Sequence, residues 1–191
     1  MNELLYDIES NFNTLTFKMS DNLKKNDCEK EIHDQVFGIC SDRNHTDDDW
    51  CQNCNSKRFQ QEFNKWTSGN EHIDKFIQDA QLKARNRYEV LEWIPYDRLR
   101  NIKYHAKGGF SIIYKAIWLD GRICSWDSEN EKWKREVSYL KHEDFENARN
   151  NDTKLPLDEN IKYGYYVVLK SPNNSSKINE GLLNEVNYLL S

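Results

Sequence analysis

No stretch of this chain reaches the roughly 18 consecutive apolar residues of a membrane-spanning helix, and no basic-then-apolar leader opens it. Both absences predict a cytoplasmic protein with no membrane partner. A basic excess is missing as well: 27 Lys and Arg face 32 Asp and Glu, a formal net charge of −5. Residues 1–54 hold twelve acids against five bases, which is no footprint for nucleic acid, and no nucleic-acid partner is expected. That acidic end reads first as a solvated face. Cysteine is scarce and odd in number, at Cys28, Cys40, Cys51, Cys54 and Cys124. Such a count suits reduced thiols better than a disulfide framework. Without a leader, the Asn-x-Ser/Thr triplets at Asn44 and Asn174 read as chance matches.

What is present is aromatic material for a core: six Trp, ten Tyr and eight Phe in 191 residues, enough chain for one ordinary domain or for a small module plus part of a larger one. The patterning predicts an α+β fold with a helical, Cys-containing front and an antiparallel sheet behind it. Residues 1–35 read as a weakly ordered or helical tail, because the near-helical spacing of Leu5, Ile8, Phe12 and Leu15 is diluted by polar residues.

Residues 36–66 carry a Cys-x2-Cys knuckle, Cys51-Gln52-Asn53-Cys54, with Cys40 eleven residues before Cys51. Two thiolates at that spacing can reach one ion, so Cys40, Cys51, Cys54 and His45 form a candidate Zn²⁺ set. A complete ribbon would have cysteine where Arg43 stands. The alternative is a group of reduced thiols packed near Trp50 and Phe37. Phe59, Phe63 and Trp66 then share a helical face. Over residues 67–100, Asn70 is placed to cap a second helix with Glu71 and Asp74 in its first turn and Ile73, Phe76, Ile77, Ala80 and Ala84 on its apolar side, before a linker that ends at Pro95.

From residue 101 onward the pattern is that of strands. Ile102–Ala106 and Ser111–Trp118 flank the loop Lys107-Gly108-Gly109-Phe110, where glycine permits close backbone approach and tolerates positive φ. Asp120-Gly121 predicts a tight hairpin back into Arg122–Trp126, with a further strand over Trp133–Val137. Residues 138–162, charged and rich in Asn and Asp, read as a mobile loop within an insertion at about 120–162. Val167-Val168-Leu169 reads as a buried strand ending on Lys170. Ile178, Leu182, Leu183, Val186, Leu189 and Leu190 then make a helical stripe beside Glu185.

The order of these motifs resembles the opening of a protein kinase domain, of the tyrosine-kinase-like group expanded in fungi. The family's G-x-G-x-x-G-x-V loop falls on Ala106, Gly108, Ser111 and Ile113, so only the middle glycine is kept. Its V-A-I-K strand falls on Val167–Lys170, and its helix glutamate on Glu185. The Cys pair and the Trp66-Thr67-Ser68-Gly69-Asn70 and Leu91–Tyr96 runs are similar to the segment upstream of the catalytic domain in such kinases. The resemblance implies ATP, with Mg²⁺, held by Ala106, Lys107, Gly108, Gly109, Phe110, Ser111, Ile113, Val168 and Lys170. Backbone N–H groups at Gly108–Ser111 would hold phosphate, Ala116 and Val168 would cover the adenine, and Glu185 would fix Lys170.

The residues that perform transfer are missing: there is no His-Arg-Asp, Asp-Phe-Gly or Ala-Pro-Glu. The expectation is a truncated kinase N-lobe, in the class of ATP-dependent Ser/Thr (or Tyr) phosphotransferases, with a protein substrate or scaffold as partner and no catalytic residue of its own. Two other classes stand beside it: a non-catalytic interaction protein, and a zinc-ribbon binding module.

Overall fold

The computed structural model describes residues 50–109 and 111–172. In chain order its elements are helices α1 (Gln52–Glu62) and α2 (Glu71–Lys83), strands β1 (Leu99–Lys107), β2 (Ser111–Trp118), β3 (Arg122–Asp127), β4 (Lys132–Glu136) and β5 (Ser138–Tyr139), helix α3 (His142–Ala148), and strand β6 (Tyr163–Pro172). The fold is α+β, as the patterning predicts. Its described residues divide into two compact units, each made of separated pieces of chain: 94–121 with 137–172, and 50–93 with 122–136.

The first unit is a four-stranded antiparallel sheet of order β1-β2-β6-β5. Its central pair is continuous, every residue of β2 from Ser111 to Trp118 facing one of β6 from Pro172 to Tyr165. Side chains alternate between faces along a strand. One face therefore carries Ala116, Trp118, Val167 and Leu169, buried with Ile94, Leu99 and Ile102. Burying one side chain such as Leu169 contributes about 1.5–3 kcal/mol. The opposite face carries Ile117, packed with Leu140 and Leu157 and flanked by Phe145, Ala148, Ile161 and Tyr166. Gly164 lies against this second cluster, and a Cβ there would overlap the Ile117 side chain.

Residues 138–162 are not the mobile loop that their composition suggests. They supply β5, α3 and two buried apolar side chains of the unit, Leu140 at 1% and Leu157 at 6% exposure. A single buried polar residue ties them to the sheet. Asn101, at φ +50° where the pairing of β1 with β2 shifts register, donates its side-chain amide to the Asp144 carbonyl at 2.7 Å and accepts the Leu157 N–H at 2.9 Å. Its backbone N–H bonds to the Leu155 carbonyl, and Ile102 and Lys154 exchange a bridge pair beside it. Asparagine suits the position, since it tolerates the left-handed region and offers both a donor and an acceptor. Asp144 also takes the Lys141 N–H and the Tyr166 hydroxyl. Burial and that carboxylate together raise the Tyr166 pKa well above the ordinary phenol value.

The second unit joins α1 and α2 to the β3–β4 hairpin. Cys51 caps α1 through its sulfur, which accepts the Cys54 N–H at 3.4 Å. Asn70 caps α2 as expected, accepting from His72 and Ile73, and Asp74 gathers the Thr67 hydroxyl and the Ser68 N–H over the same helix start. The expected three-aromatic face of α1 is shorter than its spacing implies. The helix gives way to a tighter turn over Phe63–Lys65, and Trp66 is extended at φ −145°. The core is aromatic: Trp133 stacks on Phe59 at 4.4 Å and on Trp50 at 6.1 Å and meets Trp126 edge-on. The indole N–H groups are satisfied, Trp50 by the Ala84 carbonyl and Trp133 by Glu62.

Asp120-Gly121 does not close a hairpin between β2 and β3. The two strands lie in different sheets; β3 pairs with β4 through a turn capped by Asp127, while Asp120 pairs with Arg98. A dipeptide with turn chemistry does not choose which strands pair. Cys124 is disulfide-bonded, where reduced thiols throughout were expected; Cys51 and Cys54 are free.

Replacing Asn101 by Ala leaves the Asp144 carbonyl and the Leu157 N–H without their partner, and is expected to lower stability by about 2–4 kcal/mol; urea unfolding measures it. Trp133→Ala empties the centre of the aromatic stack and should cost about 3–5 kcal/mol, read from the same unfolding curve together with the loss of near-ultraviolet circular dichroism.

Candidate functional site

The face of the first unit's sheet that bears Ile117 continues past its helix-covered part, and the register lays out what it carries. One row across the three long strands is Ala106, Ile113 and Lys170. The next is Lys103, Lys115 and Val168, and the third, running into the cluster under α3, is Arg100, Ile117 and Tyr166. Successive rows are about 7 Å apart and neighbouring strands about 4.8 Å. The result is a floor of Ala106, Ile113 and Val168 with lysines on it, Ala106 exposed and Ile113, Val168 and Lys170 half-buried.

This arrangement brings together Ala106, Ile113, Val168 and Lys170, and excludes Ala116. Ala116 faces Val167 and is buried at 4% exposure in the other cluster, so it does not join Val168 in covering a ligand. The apolar neighbour of Val168 on its own face is Ile113, one row away on β2. Lysines 103 and 115 belong to this face as well, and their sequence neighbours gave no sign of it. Counting strand parity from Ile113 would have found Lys115; Lys103 also requires the register shifts of β1.

The loop itself is tight. Gly108 donates its N–H to the Ser111 carbonyl at 2.8 Å, so that N–H closes the hairpin rather than waiting for a phosphate. Ser111, in a glycine place of the family pattern, is buried at 8% exposure. Ala106, Lys107, Gly108 and Gly109 are exposed. Neither glycine stands at positive φ, and a Cβ on Gly109 would meet nothing within 4 Å. What glycine supplies here is the absence of a side chain on an open backbone, not a conformation. Phe110 and Glu185 lie outside the described residues.

For the candidate zinc set, Cys40 and His45 lie outside the described residues, and among the described residues no three His, Cys, Asp or Glu cluster as a metal site would require. Cys51 is buried and serves as a helix cap. Among the described residues no helix is long and apolar enough to cross a membrane. A scan against protein-family models, a search of curated proteins and a search of solved structures each find no match.

Because Gly109 is not at positive φ and a Cβ there would meet open space, Gly109→Ala should leave stability unchanged or raise it by about 0.4–1 kcal/mol through the unfolded chain. Thermal unfolding of the variant tests this, and a marked loss of stability would mean that the loop needs glycine for its own conformation.

Proposed function

We propose that residues 94–121 and 137–172 are nucleotide-binding strands of a protein-kinase type, and that the chain is a kinase-family member whose own contribution is to bind ATP. The observation that carries this reading is the register of β6 on β2. Although residues 119–162 intervene, β6 returns antiparallel beside β2 and sets Lys170 opposite Ile113, with Val168 on the same face. A lysine on the strand paired with β2, a branched apolar residue after the loop and a second one near the lysine are what a site for an apolar base with a phosphate tail requires. The exposed glycine pair lies in the loop that joins β1 to β2, at the end of β2 that pairs with Lys170 and Ser171.

The residues present suit ATP in part. Lys170 would meet phosphate as a compact cation, Ile113 and Val168 would lie under the base, and Gly109 leaves room above. A bound Mg²⁺ would neutralise phosphate charge; none of the described residues is assigned to it. These 191 residues hold no His-Arg-Asp, Asp-Phe-Gly or Ala-Pro-Glu, so phosphoryl transfer to a protein hydroxyl is not proposed for them alone. The partner class that follows is a protein substrate or scaffold.

Ligand binding to the folded state adds stability of about 2.7 kcal/mol at a concentration one hundred times Kd, which thermal unfolding resolves. ATP should stabilise the protein, and Lys170→Met should remove most of that stabilisation, measured against the variant's own unliganded unfolding curve. Undiminished stabilisation of the variant would count against the lysine's role, and no stabilisation of the wild type would count against the site.

A further inference from the structure

The second row of the open face is chemically unusual. Lys103 and Lys115 stand directly opposite each other on β1 and β2, and like charges directly opposed across strands destabilise a sheet. Nothing acidic compensates them among the described residues. Lys103 reaches only the Asn147 amide oxygen, at 3.4 Å, and neither lysine forms an ion pair with a described carboxylate. Lys115 is exposed. On β6 the neighbour of Lys115 is Val168, and Lys170 lies two residues farther along the same face. Diagonal neighbours of this kind are about 7–8 Å apart at their backbones, within joint reach of two lysine side chains directed at one phosphate chain.

We propose that Lys103 and Lys115 form, with Lys170, a subsite for the polyphosphate of the ligand, so that the site selects nucleoside triphosphates over monophosphates. This rests on the nucleotide reading of the face and extends it to two residues outside the family motif. Three cations on neighbouring strands attract a chain of phosphates more strongly than a single phosphate, and the attraction weakens as salt screens it. The apolar floor of Ile113 and Val168 remains for the base. The competing explanation is that both are solvated surface lysines, Lys103 on the edge strand β1 discouraging pairing with other chains and Lys115 on the internal strand β2 only facing water; it predicts no anion binding.

The experiment follows thermal stabilisation of the full chain by ATP, AMP and inorganic tripolyphosphate at low and high salt, for wild type, Lys103→Ala/Lys115→Ala and Lys170→Met. The double variant removes two exposed or half-exposed lysines, and its own unfolding curve is expected to match or exceed that of wild type. The expected result is that tripolyphosphate and ATP bind wild type, that the double variant weakens both by roughly tenfold, and that AMP is little affected. If ATP binds and the double variant holds it as tightly as wild type, the subsite is overturned and the nucleotide reading stands. If tripolyphosphate binding depends on the pair but neither ATP nor AMP binds, the nucleotide reading falls and the pair is an anion site of another kind, which overturns the selectivity proposed here. If no anion binds, both fall.

Discussion

The structure of the sheet unit depends on the unbroken pairing of β2 with β6. A slip of one residue in that register would turn every side chain of β6 to the other face: Lys170 and Val168 would enter the cluster now filled by Val167 and Leu169, and Val167 and Leu169 would leave it for the face that carries Lys115. Burying a charged lysine in that apolar cluster would be costly, so the apolar alternation that builds the core is also what keeps Lys170 on the opposite face. The core and the candidate site are two sides of one constraint.

The position of that strand pair in turn leans on Asn101. Antiparallel strands joined by a short loop need no help to find each other, but β6 is separated from β2 by a long and mostly polar segment. The segment is held by few apolar side chains and by hydrogen bonds that converge on one asparagine. A polar side chain buried with its donor and acceptor both used makes the arrangement specific in a way that a leucine in its place would not.

Much of this was legible in the chain. β2 was placed at its observed bounds by its own alternation and flanking glycines, β1 was found short by a few residues, and the Asn70 cap followed from its side chain and the acids after it. What was not legible depends on distant partners. The order of residues 138–162 rests on Leu140, Phe145 and Leu157, spaced too widely among charges to make a local pattern, and on the Asn101 side chain far back in the sequence. The hairpin expected at Asp120-Gly121 does not form; β3 pairs instead with β4, whose Trp133 stacks on Phe59 and Trp50, and no dipeptide encodes that. In the candidate site, Lys170, Val168 and Ile113 came from motif order, whereas the faces of Ala116 and of Lys103 depend on parity across strands, and Ala116 was assigned to the wrong one.

The aromatic core of the second unit is assembled from residues on either side of β1 and β2 in the chain. A fragment that starts at Ile94 would keep Trp126 and Trp133 but lose Trp50 and Phe59, and one that stops at Trp93 would lose the hairpin. The shortest uninterrupted piece of gene that encodes the whole stack therefore also encodes the glycine loop, so neither unit can be passed on, duplicated or spliced away intact without carrying part of the other.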